Sequence, residues 1–474
     1  MWVPYVTVFL FVCLIVIWIM FITYSKRKNQ KIYDFMASTP GPIAVPVFGN
    51  IFVLSKHLFF ESKSDAWRKM RRMITPAFRN SVLWSPTHTK NFDYHTEVFL
   101  NTLKDHAKNG EKFDLLTTVH SCNLDMLCDN LLGHRVDIQK KNLSFYSKNM
   151  MRSSEIIFER FFRFLLWPKC VFSLSGMKYV MKNATKPMRS LISKIIDEKL
   201  EQKIKSEDTA ITNADTLKSF IEILVDNISS GELSKQQAIV ESIDLFKAGT
   251  ITNSMVASWI FIILAKRPDI HQKVYEEIVE VCGQEVTLND VSKLVYLDMV
   301  IKEALRHFTI LSLLDTSKRS ITLEDNTTLP AGLNIVLFIF DLHHNPEYWQ
   351  KPSEFYPEHF SPVNELNRPD GVFLPFLAGP RICPGKKYSE TSMKYWIAKT
   401  LLRYEFLTDE KLPDDFTTAD YICTFALCPI SGFQVKVQER MLKMQTTSLP
   451  PQIAYKNQTS NIPPLTSDGE QSHP

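Results

Sequence analysis

Ten residues near the C-terminal end carry the strongest chemical signal in the chain: Phe376-Leu-Ala-Gly379-Pro-Arg381-Ile-Cys383-Pro-Gly385. Cys383 stands just before a helical pattern, Lys386 to Arg403, which puts its sulfur at a helix N-terminus, where a thiolate is favoured. Pro384 lacks an N–H and suits a first helical position. Gly379 and Gly385 allow a tight turn and the close approach of a flat ligand. Arg381 offers a fork for a carboxylate. A lone thiolate with an arginine nearby suits haem iron better than zinc, which would want more Cys or His ligands close by. The fixed positions, Phe-x-x-Gly-x-Arg-x-Cys-x-Gly, arise by chance at about one start in three million.

Other elements must position this loop, and most read as helices. Met188, Leu191, Ile192, Ile195, Ile196 and Leu200 form one apolar face. A longer helix is expected from Ser234, with Gln237 completing a capping box, to Lys266, where Arg267-Pro268 stops it. From Met255 onward it is apolar nearly all round, so it should be central and buried. Strand signal is short and late: Ser320 to Leu323, a turn at Asp325-Asn326, then Asn334 to Phe340. His343-His344 reads as a loop pair.

The whole chain has 474 residues, 45% hydrophobic and 22% charged, with 55 basic against 51 acidic residues. A net charge of +4 is too even for a nucleic-acid binder. Eight cysteines imply no disulfide scaffold. No GxGxxG occurs, which argues against a Rossmann dinucleotide site. Residues 2–23 are almost unbroken apolar sequence, long enough to cross about 30 Å of hydrocarbon. Lys26, Arg27, Lys28 and Lys31 follow, which places the body in the cytosol. The alternative, a cleaved signal peptide, lacks a basic n-region and a small-residue cleavage site. The expected organisation is an anchor at 1–24, a basic and proline-rich linker at 25–50, a body at 51–440 and a disordered tail at 441–474.

The Cys383 loop resembles the haem loop of the cytochrome P450 family, and further motifs follow in the same order. Glu303-Ala-Leu-Arg306 is similar to the E-x-x-R helix motif; at i, i+3 the two side chains share a face. Pro352-Ser-Glu-Phe355-Tyr-Pro357-Glu358-His359-Phe360 resembles the segment that ends Pro-Glu-Arg-Phe. Trp67-Arg-Lys-Met-Arg71 resembles the W-x-x-x-R motif, and Ala248-Gly249-Thr250-Ile251-Thr252 the oxygen-activating groove. The wording around them is most similar to microsomal family-4 members of insect type. The resemblance implies a mainly α fold with small β-sheets, a single large haem domain behind an N-terminal transmembrane helix. It implies non-covalent haem b with Cys383 as axial ligand, Phe376 beside the sulfur, propionates held by Trp67, Arg71 and Arg381, and Gly379 and Gly385 shaping the loop. Ala248 and Thr252 would line the groove, with Thr252 catalytic, while Glu303, Arg306 and His359 would be structural. The bland reading of Trp67 and Arg71 is a surface helix with a half-buried aromatic.

The implied activity is insertion of one atom of dioxygen into a lipophilic substrate: a fatty acid, a hormone-like lipid or a foreign compound. Electrons would come from NADPH-cytochrome P450 reductase on the endoplasmic reticulum membrane, with cytochrome b5 a further partner. Lys386, Lys387, Arg68, Lys69 and Arg72 would form the docking face. Two other readings fit the same residues: a truncated haem-binding pseudoenzyme, and a hydroperoxide isomerase. The chain departs from the family at four places. Ile251 replaces the acid that relays protons with the groove threonine. His359 replaces an arginine. Ala248 stands where some family-4 members form a haem ester. Only 25 positions separate Pro42 from Trp67, which reads as the loss of a block that builds the first helices, two strands and part of the pocket roof.

Overall fold

The computed structural model describes residues 64–440, apart from 80–81, 83–84, 208–217, 309–312, 317–318, 410–420 and 424–426, together with scattered positions between 16 and 34. The linker, save for isolated positions up to 34, the shortened stretch up to residue 63 and the tail lie outside the described residues. So does the expected anchor, save for isolated positions such as Val16, Ile19 and Met20, which are helical.

The central element is the helix Lys235–Lys266. Ser234 caps it: its hydroxyl accepts the Gln237 N–H at 3.2 Å, while the Gln237 side chain accepts the Ser234 N–H at 3.1 Å. Arg267 leaves helical backbone, and Pro268 opens the next helix, Pro268–Cys282. Every residue from Met255 to Leu264 is buried. Among the described residues this is the one helix long and apolar enough to cross a membrane, and 78% of its most apolar window is buried inside the protein. It is a core helix, wrapped by Leu115–Leu132, Phe145–Phe162, Met177–Glu207, Val295–His307 and Lys386–Arg403. Trp259 stacks on Phe308 at 4.1 Å, and Phe261 on Phe406 at 4.3 Å.

Small polar residues let a neighbour approach this helix. Thr250, Ser254 and Ser258 each donate to the carbonyl one turn back, at 2.7 Å, so their hydroxyls are satisfied in an apolar core. A Cβ on Gly249 would lie 3.0 Å from the Leu127 side chain of the Leu115–Leu132 helix, so only glycine permits this crossing without a shift. Asn123 of the same helix donates to Ser254 at 2.9 Å. His120 approaches Thr250 at 3.1 Å; the Thr250 proton is committed to Phe246, so the His120 Nε2–H is the donor.

The sheets are small. Phe113–Asp114, Gln434–Glu439 and Tyr404–Leu407 form an antiparallel sheet with Gln434–Glu439 in the middle. Three hairpin-like pairs complete the set: Leu313–Thr316 with Asn334–Leu337, Ile321–Thr322 with Thr328–Leu329, and Tyr421–Cys423 with Leu427–Pro429. The turn expected at Asp325-Asn326 is present, with Asn326 at φ 65°. The strand expected to run to Phe340 stops at Leu337, because Ile339–His344 is a helix whose His343 and His344 are drawn into the core. The expectation of a loop pair there is corrected: both histidines are helical and buried.

His120, His343 and His344 are buried neutral; burial drives their pKa values down to about 3, about 3 and about 4. An unfolded histidine titrates near 6.5. Below that pH the unfolded chain takes up protons that the native rings refuse, so stability falls with pH. The melting temperature is expected to drop as pH is lowered from about 6.5 towards 4. Replacing His120 by Gln should shallow that dependence in a pH series of thermal unfolding.

Candidate active site

The Cys383 loop is held by its own backbone. The Cys383 N–H donates to the Phe376 carbonyl at 2.9 Å, and the Leu377 N–H to that of Leu374 at 3.1 Å. Leu377 and Gly379 both take positive φ, 61° and 67°. For Gly379 the requirement is conformational, since a Cβ there would meet nothing within 4 Å. Gly385 differs from expectation: its φ of −86° suits any residue. A Cβ there would stand 3.9 Å from the Cys383 sulfur, an ordinary contact, so space does not require glycine either. Pro384 is not the first helical residue either; Gly385 caps a helix that begins at Lys386. The amides of Gly385 and Lys386 and the charge of Arg71 all favour the Cys383 thiolate. Burial outweighs them and pushes the thiol up. A bound cation would add to the groups that favour the thiolate.

The helix Ser64–Ile74 brings Trp67 and Arg71 to the loop. The Arg381 guanidinium lies 4.0 Å from the centre of the Trp67 ring, a cation–π contact between loop and helix. Burial lowers the Arg71 pKa, and Cys383 opposes that shift. Trp67, Arg71, Arg381 and Cys383 are thus brought together: one thiol, two guanidiniums and a flat aromatic face. Phe376 packs half-buried against the main core.

On the central helix, Asp244, Ala248, Gly249 and Thr252 keep partial exposure in an otherwise buried run. Asp244, Ala248 and Thr252 repeat at i, i+4, i+8 and form one open stripe. The Thr252 hydroxyl donates to the Ala248 carbonyl at 2.6 Å. Ile251 is buried with Met255, against Leu116, Met151 and Cys428. Sequence reasoning missed Asn253, whose side-chain oxygen accepts from Ser389 at 2.6 Å and ties the groove to the helix that follows Cys383.

Glu303 and Arg306 are fully buried and paired through two bonds of 2.9 and 2.8 Å. Glu303 also accepts the Tyr356 N–H at 2.9 Å, and His359 Nδ1 lies 3.2 Å from both its oxygens. Hydrogen bonds and the Arg306 charge hold the Glu303 carboxyl well below its ordinary pKa against the opposing cost of burial. The other ring nitrogen of His359 meets the Gln350 carbonyl. His359 thus bridges the buried carboxylate and a backbone carbonyl from the position where the family has arginine. Arg306 donates onward to the carbonyls of His343 at 2.7 Å, Pro352 at 2.8 Å and Glu354 at 3.1 Å. His343 Nε2 accepts the Leu374 N–H at 2.9 Å, which carries the network to the root of the Cys383 loop. His307 and His344 join it, 3.1 Å apart.

Residues 40–437 match the cytochrome P450 family model. The chain is 28% identical over 390 residues to cytochrome P450 4V2 of Mus musculus, covering 80% of this chain and 73% of that one. It is 28% identical over 389 residues to cytochrome P450 4c21 of Blattella germanica, covering 80% and 76%. With cytochrome P450 4d8 of Drosophila melanogaster it shares 26% over 397 residues, 80% and 83% of the two chains. The chain belongs to the cytochrome P450 family, the haem-thiolate monooxygenases that carry haem b on a cysteine, and its relatives are family-4 members.

Replacing His359 by Ala removes a donor from a buried carboxylate and should cost about 1–3 kcal/mol. His359→Arg should restore most of that loss. Replacing Glu303 by Ala leaves Arg306 buried and unpaired, at about 3–5 kcal/mol. Chemical denaturation of the three variants ranks them.

Proposed function

We propose that this chain is a membrane-anchored monooxygenase of lipophilic substrates in which Cys383 holds the haem iron. The observation that carries the reading is the meeting of Cys383, Arg381, Trp67 and Arg71. The residues fit the group: Cys383 would supply a thiolate to the iron and Arg381 and Arg71 would hold the propionates, while Trp67 braces Arg381. Phe376 would limit water around the sulfur. Haem, when bound, supplies the activation of dioxygen, one atom of which enters the substrate and the other leaves as water. Ala248 offers no carboxyl for an ester, so the haem is held without a covalent bond to that position.

Thr252 is proposed as the polar group of the groove. Its proton is given to Ala248, which turns the hydroxyl lone pairs outward as an acceptor for water. Ile251 cannot carry a proton. Its apolar packing favours a second reading, a lipid-hydroperoxide isomerase that needs neither reductase nor relay acid. Electrons for the monooxygenase would come from NADPH-cytochrome P450 reductase, with cytochrome b5 as a second donor. Arg68, Lys69, Arg72, Lys386 and Lys387 would form the basic docking face, Lys69 also pairing with Glu232 and Lys386 with Glu390. The anchor is proposed at residues 2–23, in the endoplasmic reticulum membrane with the body in the cytosol. Its described positions Val16, Ile19 and Met20 are helical with exposed apolar side chains, which suits a lipid environment.

The ferrous–carbon monoxide spectrum of the full chain tests the ligand. A thiolate-type band is expected, and Cys383→Ser should abolish it; a band that survives and vanishes on changing Cys428 instead would refute the assignment.

Ile251→Asp should lower peroxide release per NADPH with reductase present. Unchanged coupling would show that Thr252 and water suffice, and turnover with a lipid hydroperoxide alone would favour the isomerase.

A further inference from the structure

The central helix and the helix that follows Cys383 meet in contacts of different character. Phe261 lies against Trp396, with ring centres 5.6 Å apart. Asn253 accepts a hydrogen bond from the Ser389 hydroxyl at 2.6 Å, and both residues are buried. Between Asn253 and Phe261 the helix rises by about 12 Å. Apolar packing is non-directional, whereas a hydrogen bond weakens steeply once its angle departs from ideal. At the site end, the register of the two helices is therefore set by Asn253 and Ser389. Such a bond is costly to leave unmade, because the orphaned partner keeps its desolvation penalty.

Both partners stand beside the chemistry without taking part in it. Asn253 directly follows Thr252, whose hydroxyl donates to the Ala248 carbonyl at 2.6 Å. Thr252 and Ala248 keep partial exposure and Asn253 does not, so Asn253 belongs to the closed side of the helix. The Ser389 N–H donates to the Gly385 carbonyl at 2.8 Å, in the first turn of Lys386–Arg403. The Lys386 N–H in turn donates to the Cys383 carbonyl at 3.4 Å. A displacement of Ser389 thus reaches the Cys383 loop through one helical turn, and a displacement of Asn253 reaches Thr252 through one peptide. Without the link, Gly249, Thr250 and Ser254 would hold this part of the central helix to Leu115–Leu132 alone, and the gap toward Cys383 would be free to widen.

We propose that Asn253 is a positioning residue: through Ser389 it fixes how far Thr252 and Ala248 stand from the Cys383 sulfur, and with that the room above a haem held by that sulfur. The proposal rests on the haem-thiolate reading of the site and adds the determinant of its width.

The test uses the haem-loaded full chain, unmodified and as Asn253→Ala, Ser389→Ala, the double variant and Ser389→Thr. The thiolate-type carbon monoxide band is recorded first; its absence from the unmodified protein overturns the proposal together with the haem reading. Carbon monoxide is then released by a light flash and its rebinding rate measured, which reads the room above the iron and not turnover. Each alanine variant should rebind about threefold faster or more, a change within the worth of one buried hydrogen bond. The double variant should go no further than either single one, because both remove the same bond. Ser389→Thr keeps the hydroxyl and should rebind as the unmodified protein does. With reductase present, peroxide release per NADPH should rise in the alanine variants alone. Unchanged rebinding in both alanine variants, even beside a lowered melting temperature, makes the link purely structural and overturns the proposal. Additive effects in the double variant overturn it as well.

Discussion

The buried pair Glu303–Arg306 is the constraint on which the rest of the structure depends. Two charges without solvent exposure are tolerable only when nearly every donor and acceptor around them is used. Here the partners come from four stretches of chain: the Val295–His307 helix itself, the Ile339–His344 helix, the segment Gln350 to Tyr356, and His359. Satisfying the pair therefore folds the irregular region between residue 339 and residue 360, which has little regular structure of its own. Trp349 seals it, with Arg306 and Arg368 lying over its ring at 5.1 and 4.1 Å. From Arg306 the line runs to the His343 carbonyl, and from the His343 ring to the Leu374 amide. The Cys383 loop inherits its position from a salt bridge that never touches it.

The other half of the site depends on how closely helices approach. Gly249 against Leu127, Thr250 with His120 and Ser254 with Asn123 fasten the central helix to Leu115–Leu132 on one side. Asn253 with Ser389 fastens it to the helix after Cys383 on another. Between these clamps the stripe of Asp244, Ala248 and Thr252 is the part left open. The groove is thus flanked by contacts on both sides, and its polarity is decided by a few side chains: Asp244 at one end, Thr252 at the other, and Ile251 packed away from it.

Much of this was legible in the sequence. The central helix begins and ends where Ser234, Gln237 and Pro268 indicated, because capping and proline act locally. The helix Lys386–Arg403 and the pairing of Glu303 with Arg306 followed from spacing for the same reason. The strand Gln434–Glu439 had a signal in the alternation of buried Val435 and Val437, yet its partner at Phe113–Asp114 is two residues long and far away in sequence. Asn334 to Phe340 looked like one strand because apolar runs do not distinguish strand from buried helix. The roles of His307, His343 and His344 could not be read at all, since each depends on carbonyls and amides supplied by distant segments.

The central claim is that the Glu303–Arg306 pair positions the Cys383 loop through His343 and Leu374. Amide hydrogen exchange on the full chain, comparing Glu303→Gln with the unmodified protein, tests it most directly. The account predicts that protection across residues 374–383 falls well before that of residues 255–264 in the central helix. Equal protection of the Cys383 loop in the two proteins, or a loss no greater than that of the central helix, would contradict it.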